Sequence, residues 1–280
     1  MPLLGLLGGL VVAGLAGCGR DTASAETGAT PSVERVMVVG ASTIAPLLSE
    51  MAKEYEKTHP DIRIEVQAGG SSRGIMDVRQ GVAKLGMVSR GLKPDEQDLQ
   101  HILIARDGVG LILHKTNPVT RLSKDQVVGI YTGKIKNWKQ LGGQDLPITV
   151  VSKAEGRSTL EIFSNYFGVP YKEISAHVII GDNQQGIQTV AGSPAAIGYV
   201  SIGSAEYESQ QDAAIRLVQM DDQIPTTAAV ASGQYAISRE LNLIFKPPLS
   251  DRVRDFVAFT QSEAAAGLVT KQYFVPVARP

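Results

Sequence analysis

Apolar residues along this chain fall into short runs separated by stretches with helical spacing. Val36–Val39 is a continuous apolar run, Ile62–Ala68 alternates at period two, and Val109–His114 and Ile148–Val151 are short and rich in β-formers, so each predicts a strand. Between them the spacing predicts helices at about 44–57, 74–82, 124–132 and 159–167. In the first of these, Leu47, Met51 and Tyr55, with Leu48 and Ala52 beside them, make one apolar stripe. Strands alternating with helices predict an α/β architecture with largely parallel sheets and helices packed on them. No internal repeat is visible.

The N-terminus departs from this pattern. Residues 3–17 are apolar and uncharged but too short for a comfortable membrane span, and they end at Cys18, the only cysteine. Leu15-Ala16-Gly17-Cys18 resembles a bacterial lipobox, in which the signal is cut before a cysteine that is then lipidated. The expectation is a lipoprotein signal peptide over 1–17, then a lipidated Cys18 and a flexible tether through 32, rich in Ala, Thr, Ser and Gly. A single cysteine in an exported chain also fits, because a disulfide needs two. No Lys or Arg precedes the apolar run, so the natural start is expected a few residues upstream.

Composition narrows the function classes. The chain has 280 residues, 43% hydrophobic and 20% charged, with a formal net charge of -1, which is globular and lacks the basic excess of a nucleic-acid binder. Aromatics at 5% also argue against base stacking. No nucleic-acid partner, metal or cofactor is expected, since there is no phosphate loop, zinc-spaced histidine pair or dinucleotide fingerprint.

Small hydroxyls gather where strands run into helices. Ser42 and Thr43 follow the first strand; Thr43 is expected to cap the first helix, which puts Pro46 at the third helical position. Ala68-Gly-Gly-Ser-Ser-Arg-Gly-Ile75 is a second such joint. Ser152-Lys-Ala-Glu-Gly-Arg-Ser-Thr159 is a third, where Ser158 and Glu161 have the spacing of a capping box. Leu85-Gly-Met-Val-Ser-Arg-Gly91 ends another apolar run in Ser89 and Arg90. In open α/β sheets ligands sit beyond the carboxyl ends of strands, where all four segments lie. Free N–H groups, hydroxyls and the guanidinium groups of Arg73, Arg90 and Arg157 are mostly donors, which suits a small oxyanion.

Val39-Gly-Ala-Ser-Thr-Ile-Ala-Pro46, Gly69-Gly-Ser-Ser-Arg-Gly74, Gly86-Met-Val-Ser-Arg90, Glu155-Gly-Arg-Ser-Thr159 and Ala196-Ile-Gly-Tyr-Val200 resemble the signature segments of the phosphate-binding proteins of Pst-type ABC transporters. The similarity runs in order over about residues 33–278. It implies a two-lobed type II periplasmic binding protein fold, with a ligand cleft between α/β lobes that close by hinge motion. Lobe one is then expected at 33–114 plus 226–280 and lobe two at 115–225. The implied phosphate ligands are Ser42, Thr43, Ser71, Ser72, Arg73, Ser89, Arg90, Arg157, Ser158 and Thr159. The implied function is a monomeric binding lipoprotein, anchored in the periplasm or on the cell surface, that hands inorganic phosphate to ABC transporter permease subunits.

Two positions depart from the family. Arg90 stands where several members have an Asp that accepts the proton of hydrogen phosphate, and Gly156-Arg-Ser-Thr159 replaces a Gly-Ser-Gly-Thr loop. Both add positive charge, so sulfate, arsenate, molybdate and tungstate stay open beside phosphate. A sensing or adhesion protein on the same fold is a further alternative. Gly70-Ser-Ser-Arg-Gly74 also satisfies the nucleophile-elbow pattern of serine hydrolases, but none of His59, His101, His114 and His177 sits in a motif suggesting a base, and no enzyme is expected.

Overall fold

The computed structural model describes residues 33–277. The expected signal peptide, Cys18 and the tether lie outside the described residues. The strands are β1 (Glu34–Gly40), β2 (Ile62–Ala68), β3 (Leu85–Val88), β4 (Gln100–His114), β5 (Arg121–Leu122), β6 (Thr149–Lys153), β7 (Val178–Ile180), β8 (Ala196–Ser201), β9 (Ile215–Leu217), β10 (Gln219–Met220), β11 (Ser238–Phe245) and β12 (Val275–Pro276). The helices are α1 (Ala45–Glu56), α2 (Ser71–Arg79), α3 (Lys124–Tyr131), α4 (Ser158–Phe167), α5 (Asn183–Ala191), α6 (Ile202–Gln210), α7 (Thr227–Ala231), α8 (Asp251–Phe259) and α9 (Glu263–Lys271).

The stripe expected on α1 is the face it buries: Leu47, Leu48, Met51, Ala52 and Tyr55 are all in the core. Each large side chain among them contributes roughly 1.5–3 kcal/mol on leaving water. Helix α2 starts at Ser71, earlier than the spacing predicts, because its first turn is polar and carries no apolar period. Strand β4 also starts earlier than expected, at Gln100.

That long strand organises the molecule. Ten strands form one sheet with the path β2-β1-β3-β11-β4-β8-β6-β7, while β12 and β9 also pair with β4. At one end β1 is parallel to β2 and β3, and at the other β6 is parallel to β7 and β8. The middle is antiparallel: β11 runs against β3 and β4, and β4 against β8. The expected parallel pairing therefore holds only toward the ends, because β11 returns late in the chain to fill the centre.

Hydrophobic side chains collect in two main cores. One takes residues of β1, β2, β3, α1, α8 and α9, together with Ile104, Ala105, Leu241 and Leu243. The other takes Val109, Leu111 and Leu113, residues of α3, α4 and β8, and then Val230, Tyr235 and Ile237. Strand β4 thus serves the first core up to Ala105 and the second from Val109. It pairs with β11 over the first stretch and with β8 over the second. Among the described residues no helix is long and apolar enough to cross a membrane.

Candidate functional site

Between the two cores lies a small, tightly lined cavity. The first half of the molecule contributes Ser42 and Thr43 after β1, Gly70 and Ser71 at the start of α2, and Ser89 after β3. The second half contributes Lys153 at the end of β6, Arg157, Ser158 and Thr159 at the start of α4, and Gly181 after β7. Every one of these positions lies at the carboxyl end of a strand or opens a helix, as strand direction in an α/β sheet dictates.

The helices that open on the cavity are distinguished by what they lack. Helices α1, α2 and α4 have no side-chain cap. Helices α3, α5, α6, α7, α8 and α9 are each capped by a Ser, Asp or Thr side chain. The caps differ from those expected. The residue before α1 is Ile44, Pro46 falls within its first two positions, and Thr43 makes no capping bond. Arg157 precedes α4, so Ser158 and Glu161 form no capping box. First-turn N–H groups have no intrahelical acceptor. No side-chain oxygen folds back on those of α1, α2 and α4, but the Ala45, Ser72 and Leu160 N–H groups bond the Ala41, Gly156 and Arg157 carbonyls, so only the rest of each first turn is left for a ligand.

The hydroxyls turn instead to partners across the molecule. Thr43 Oγ1 accepts from Asn183 Nδ2 (3.0 Å) and from Arg239 Nη2 (3.1 Å). Ser71 Oγ accepts from the Ser89 N–H (3.2 Å) and from the Ser158 hydroxyl (2.5 Å). A hydroxyl has two lone pairs and one proton. With both lone pairs engaged, Thr43 and Ser71 can offer the cavity only a donor. Thr159 Oγ1 accepts from Arg239 Nη1 (2.9 Å), which leaves its proton free as well.

Arg239 is the hub of this network. Its Nε and Nη2 donate to Asp107 Oδ2 at 2.9 and 2.7 Å, with both side chains about 1% exposed. Asp107 Oδ1 accepts from the Gly203 N–H at 3.1 Å. The two residues face each other in the β4–β11 register, so sheet pairing positions the pair. Its remaining donors reach Thr43, Thr159 and, at 3.5 Å, Ser89, tying both halves of the cavity wall to one guanidinium.

Lys153 is the cation left over. Its side chain is fully buried, and Nζ has no hydrogen-bond partner among the described residues. Burial, then the Arg239 and Arg157 cations, outweigh the opposing Asp182 and push its pKa down to about 7. Tyr199 fixes the strand end: its hydroxyl takes the Lys153 N–H at 3.2 Å and bonds the Ser152 hydroxyl at 2.8 Å. Arg157 spans the cavity mouth. A Cβ on Gly70 would come within 2.9 Å of Arg157 Cδ, and Gly70 also has φ +93°, so glycine is required there twice over. Burial lowers the Arg157 pKa, with Asp182 opposing.

Seven of the ten expected ligands line the cavity: Ser42, Thr43, Ser71, Ser89, Arg157, Ser158 and Thr159. Ser72, Arg73 and Arg90 do not. The Ser72 N–H reaches across to the Gly156 carbonyl at 3.3 Å. Arg73 has a side chain 56% exposed and pairs with Asp77 at 3.2 Å. Arg90 is buried, but its fork is taken by Glu96 at 2.7 and 2.8 Å. Its Nε lies 3.0 Å from Glu161 Oε2, within ion-pair distance although not angled for a hydrogen bond. Burial would depress the Arg90 guanidinium, and the two carboxylates more than reverse this. The sequence reading missed Lys153, Asn183, Asp107 and Arg239. Lys153 had a signal, a charged residue closing an apolar strand, whereas Arg239 is identifiable only through its pairing with Asp107.

Among the described residues no histidine lines the cavity, and Ser71 has only Ser89 and Ser158 as hydroxyl partners, which leaves a serine nucleophile without a base. No group of residues suited to a metal ion occurs among them.

Residues 25–264 match the model of the PBP superfamily domain. The chain is 28% identical over 262 residues to the phosphate-binding protein PstS of Bacillus subtilis, covering 92% of this chain and 84% of that one. It is 34% identical, with a TM-score of 0.81, to a solved Clostridium perfringens protein described as a phosphate ABC transporter substrate-binding protein with bound phosphate; the match covers 88% of this chain and all of the other. A solved ABC-type phosphate transport receptor from Vibrio cholerae is 30% identical, with a TM-score of 0.70, over 86% of this chain and all of the other.

Proposed function

The chain belongs to the PBP superfamily, and from that premise we propose that it captures inorganic phosphate outside the cytoplasm and delivers it to an ABC importer. One observation carries this reading: the hydroxyls of Thr43 and Ser71 have both lone pairs filled by protein donors, so each has only its proton left to offer a ligand. The first-turn N–H groups of α1, α2 and α4 that bond no carbonyl, with the cations Lys153 and Arg157, add to that donor set, and among the described residues no carboxylate lines the cavity. A wall of donors calls for a ligand made of acceptors. Charge-assisted hydrogen bonds of roughly 1.5–3 kcal/mol each offset the desolvation of a small oxyanion held there.

The relatives named above supply the choice of phosphate among oxyanions. Two lobes that exchange near Asp107 and Ser238, where the hydrophobic cores change over, would close on the anion by hinge motion. Contacts such as Ser72 to Gly156 and Ser71 to Ser158 then belong to the closed form. The lipid anchor on Cys18 is part of the same proposal, and Cys18→Ser releases the protein from membranes if it holds. Equilibrium dialysis with labelled phosphate tests the ligand: a single site with Kd about micromolar or below is expected, near -8 kcal/mol or lower. Absence of phosphate binding at neutral pH removes the proposal. Sulfate, arsenate, molybdate and tungstate in competition rank the anions.

A further inference from the structure

We propose that Lys153 is a direct ligand of the anion and that the site takes up a proton from solvent as the anion enters, making capture proton-linked. This deepens the phosphate reading and rests on it.

The geometry starts from a buried ammonium with nothing to bond. Lys153 is 2% exposed, its Nζ has no partner among the described residues, and it lines the same cavity as Ser71 and Thr43. Its backbone cannot yield, because β6 pairs on both sides, with Lys153 opposite Ile180 of β7, and Tyr199 of β8 holds its N–H.

The elements packed on β6 give the lysine little anionic support. Strand β7 is Val-Ile-Ile and carries no charge. Strand β8 presents the Tyr199 phenol, which burial pushes up to about 12 and keeps neutral. At the end of α3, the Tyr131 hydroxyl reaches the Val151 carbonyl and is likewise held neutral by burial. Helix α4 presents the Arg157 cation, while its Glu161 turns away to Arg90 and Lys93. Beyond these stands Arg239, already matched to Asp107. Asp182, before α5, is the one carboxylate favouring the charged amine, and its Oδ1 is engaged in capping Gln185.

Such a lysine is half-neutralised near pH 7. A dianion within hydrogen-bond distance reverses the balance, since an opposite charge favours the ammonium. The step is Lys–NH2 plus H⁺ plus the anion giving Lys–NH3⁺ paired with the anion, the proton coming from water. Above pH 7 wild-type affinity should therefore fall with rising pH more steeply than that of a variant lacking the amine, by about tenfold per pH unit.

Calorimetric titration with inorganic phosphate at pH 8, in two buffers of different ionisation enthalpy, counts the protons. Wild type, Lys153→Met and Lys153→Gln are compared, so that proton exchange by phosphate itself cancels. The expected result is that wild type takes up about half a proton or more beyond either variant, and binds about tenfold or more tighter. Lys153→Gln supplies the comparison if Lys153→Met does not fold. Equal proton uptake in wild type and variant, with phosphate bound in both, overturns the lysine's role and leaves the phosphate reading standing. No phosphate heat in the wild type overturns both.

Discussion

At the scale of single residues, the site works by controlling which atoms remain free. Thr43 and Ser71 are donors because their lone pairs are already occupied, and Arg157 is a ligand candidate because it lines the cavity and forms no ion pair among the described residues. Arg90 has the opposite fate, held between Glu96 and Glu161. Arg157→Ala should therefore weaken phosphate binding about tenfold or more. Arg73→Ala, which removes an exposed pair worth under about 1 kcal/mol, should leave affinity nearly unchanged. Dialysis of the two variants checks the contrast, and equal losses would refute it. Lys153 also makes stability depend on pH. Its folded pKa of about 7 lies below the ordinary 10.5, so between those values the unfolded chain binds more protons. Ligand-free stability should then rise from pH 7 toward 10.5, by at most about 5 kcal/mol from this group. Urea denaturation of wild type and Lys153→Met at pH 7 and 9.5 measures it; parallel pH dependence in the two would exclude it.

At the scale of elements, the three cavity-facing helices forgo the caps that the other helices use. A cap typically stabilises a helix by about 1 kcal/mol, a contribution that α1, α2 and α4 go without. Helix α4 also reaches the opposite half through Glu161, 3.0 Å from Arg90 and 2.8 Å from Lys93. Glu161→Gln should loosen this contact without touching the cavity wall and raise the phosphate Kd severalfold, up to about tenfold. Scattering measurements with phosphate should then show a less compact particle than wild type. An unchanged Kd and particle size would mean that the contact does not help hold the halves together. The spacing of Ser158 and Glu161 was legible in the sequence, but its meaning was not: a capping box and a pair of contacts in opposite directions share one pattern.

At the scale of the whole molecule, β4 and β11 join the two cores, and the Asp107–Arg239 pair sits where they exchange. Removing one member of a buried pair leaves the other charged and unmatched, at a cost of about 3–5 kcal/mol. Asp107→Asn should lower the melting temperature accordingly and release the Thr43 and Thr159 hydroxyls from their fixed directions, so that phosphate binding weakens as well. Thermal melts with and without phosphate test both effects, and a variant as stable as wild type would show that the pair is not a structural hub.

The sequence by itself determined the alternation of strands and helices, the buried stripe of α1 and the four strand-end segments, because period and turn chemistry act over a few neighbouring residues. Seven of the cavity's residues were readable for the same reason. Only the tertiary structure decided that Thr43 and Ser158 are not caps, that Arg90 is held by carboxylates, that Lys153 lines the cavity and that Arg239 bonds the hydroxyls of its wall. Those outcomes depend on partners as far apart as Thr43 and Arg239, 196 positions along the chain. Which donor or carboxylate reaches a polar group first is set by sheet register and core packing, and local sequence does not encode that distance.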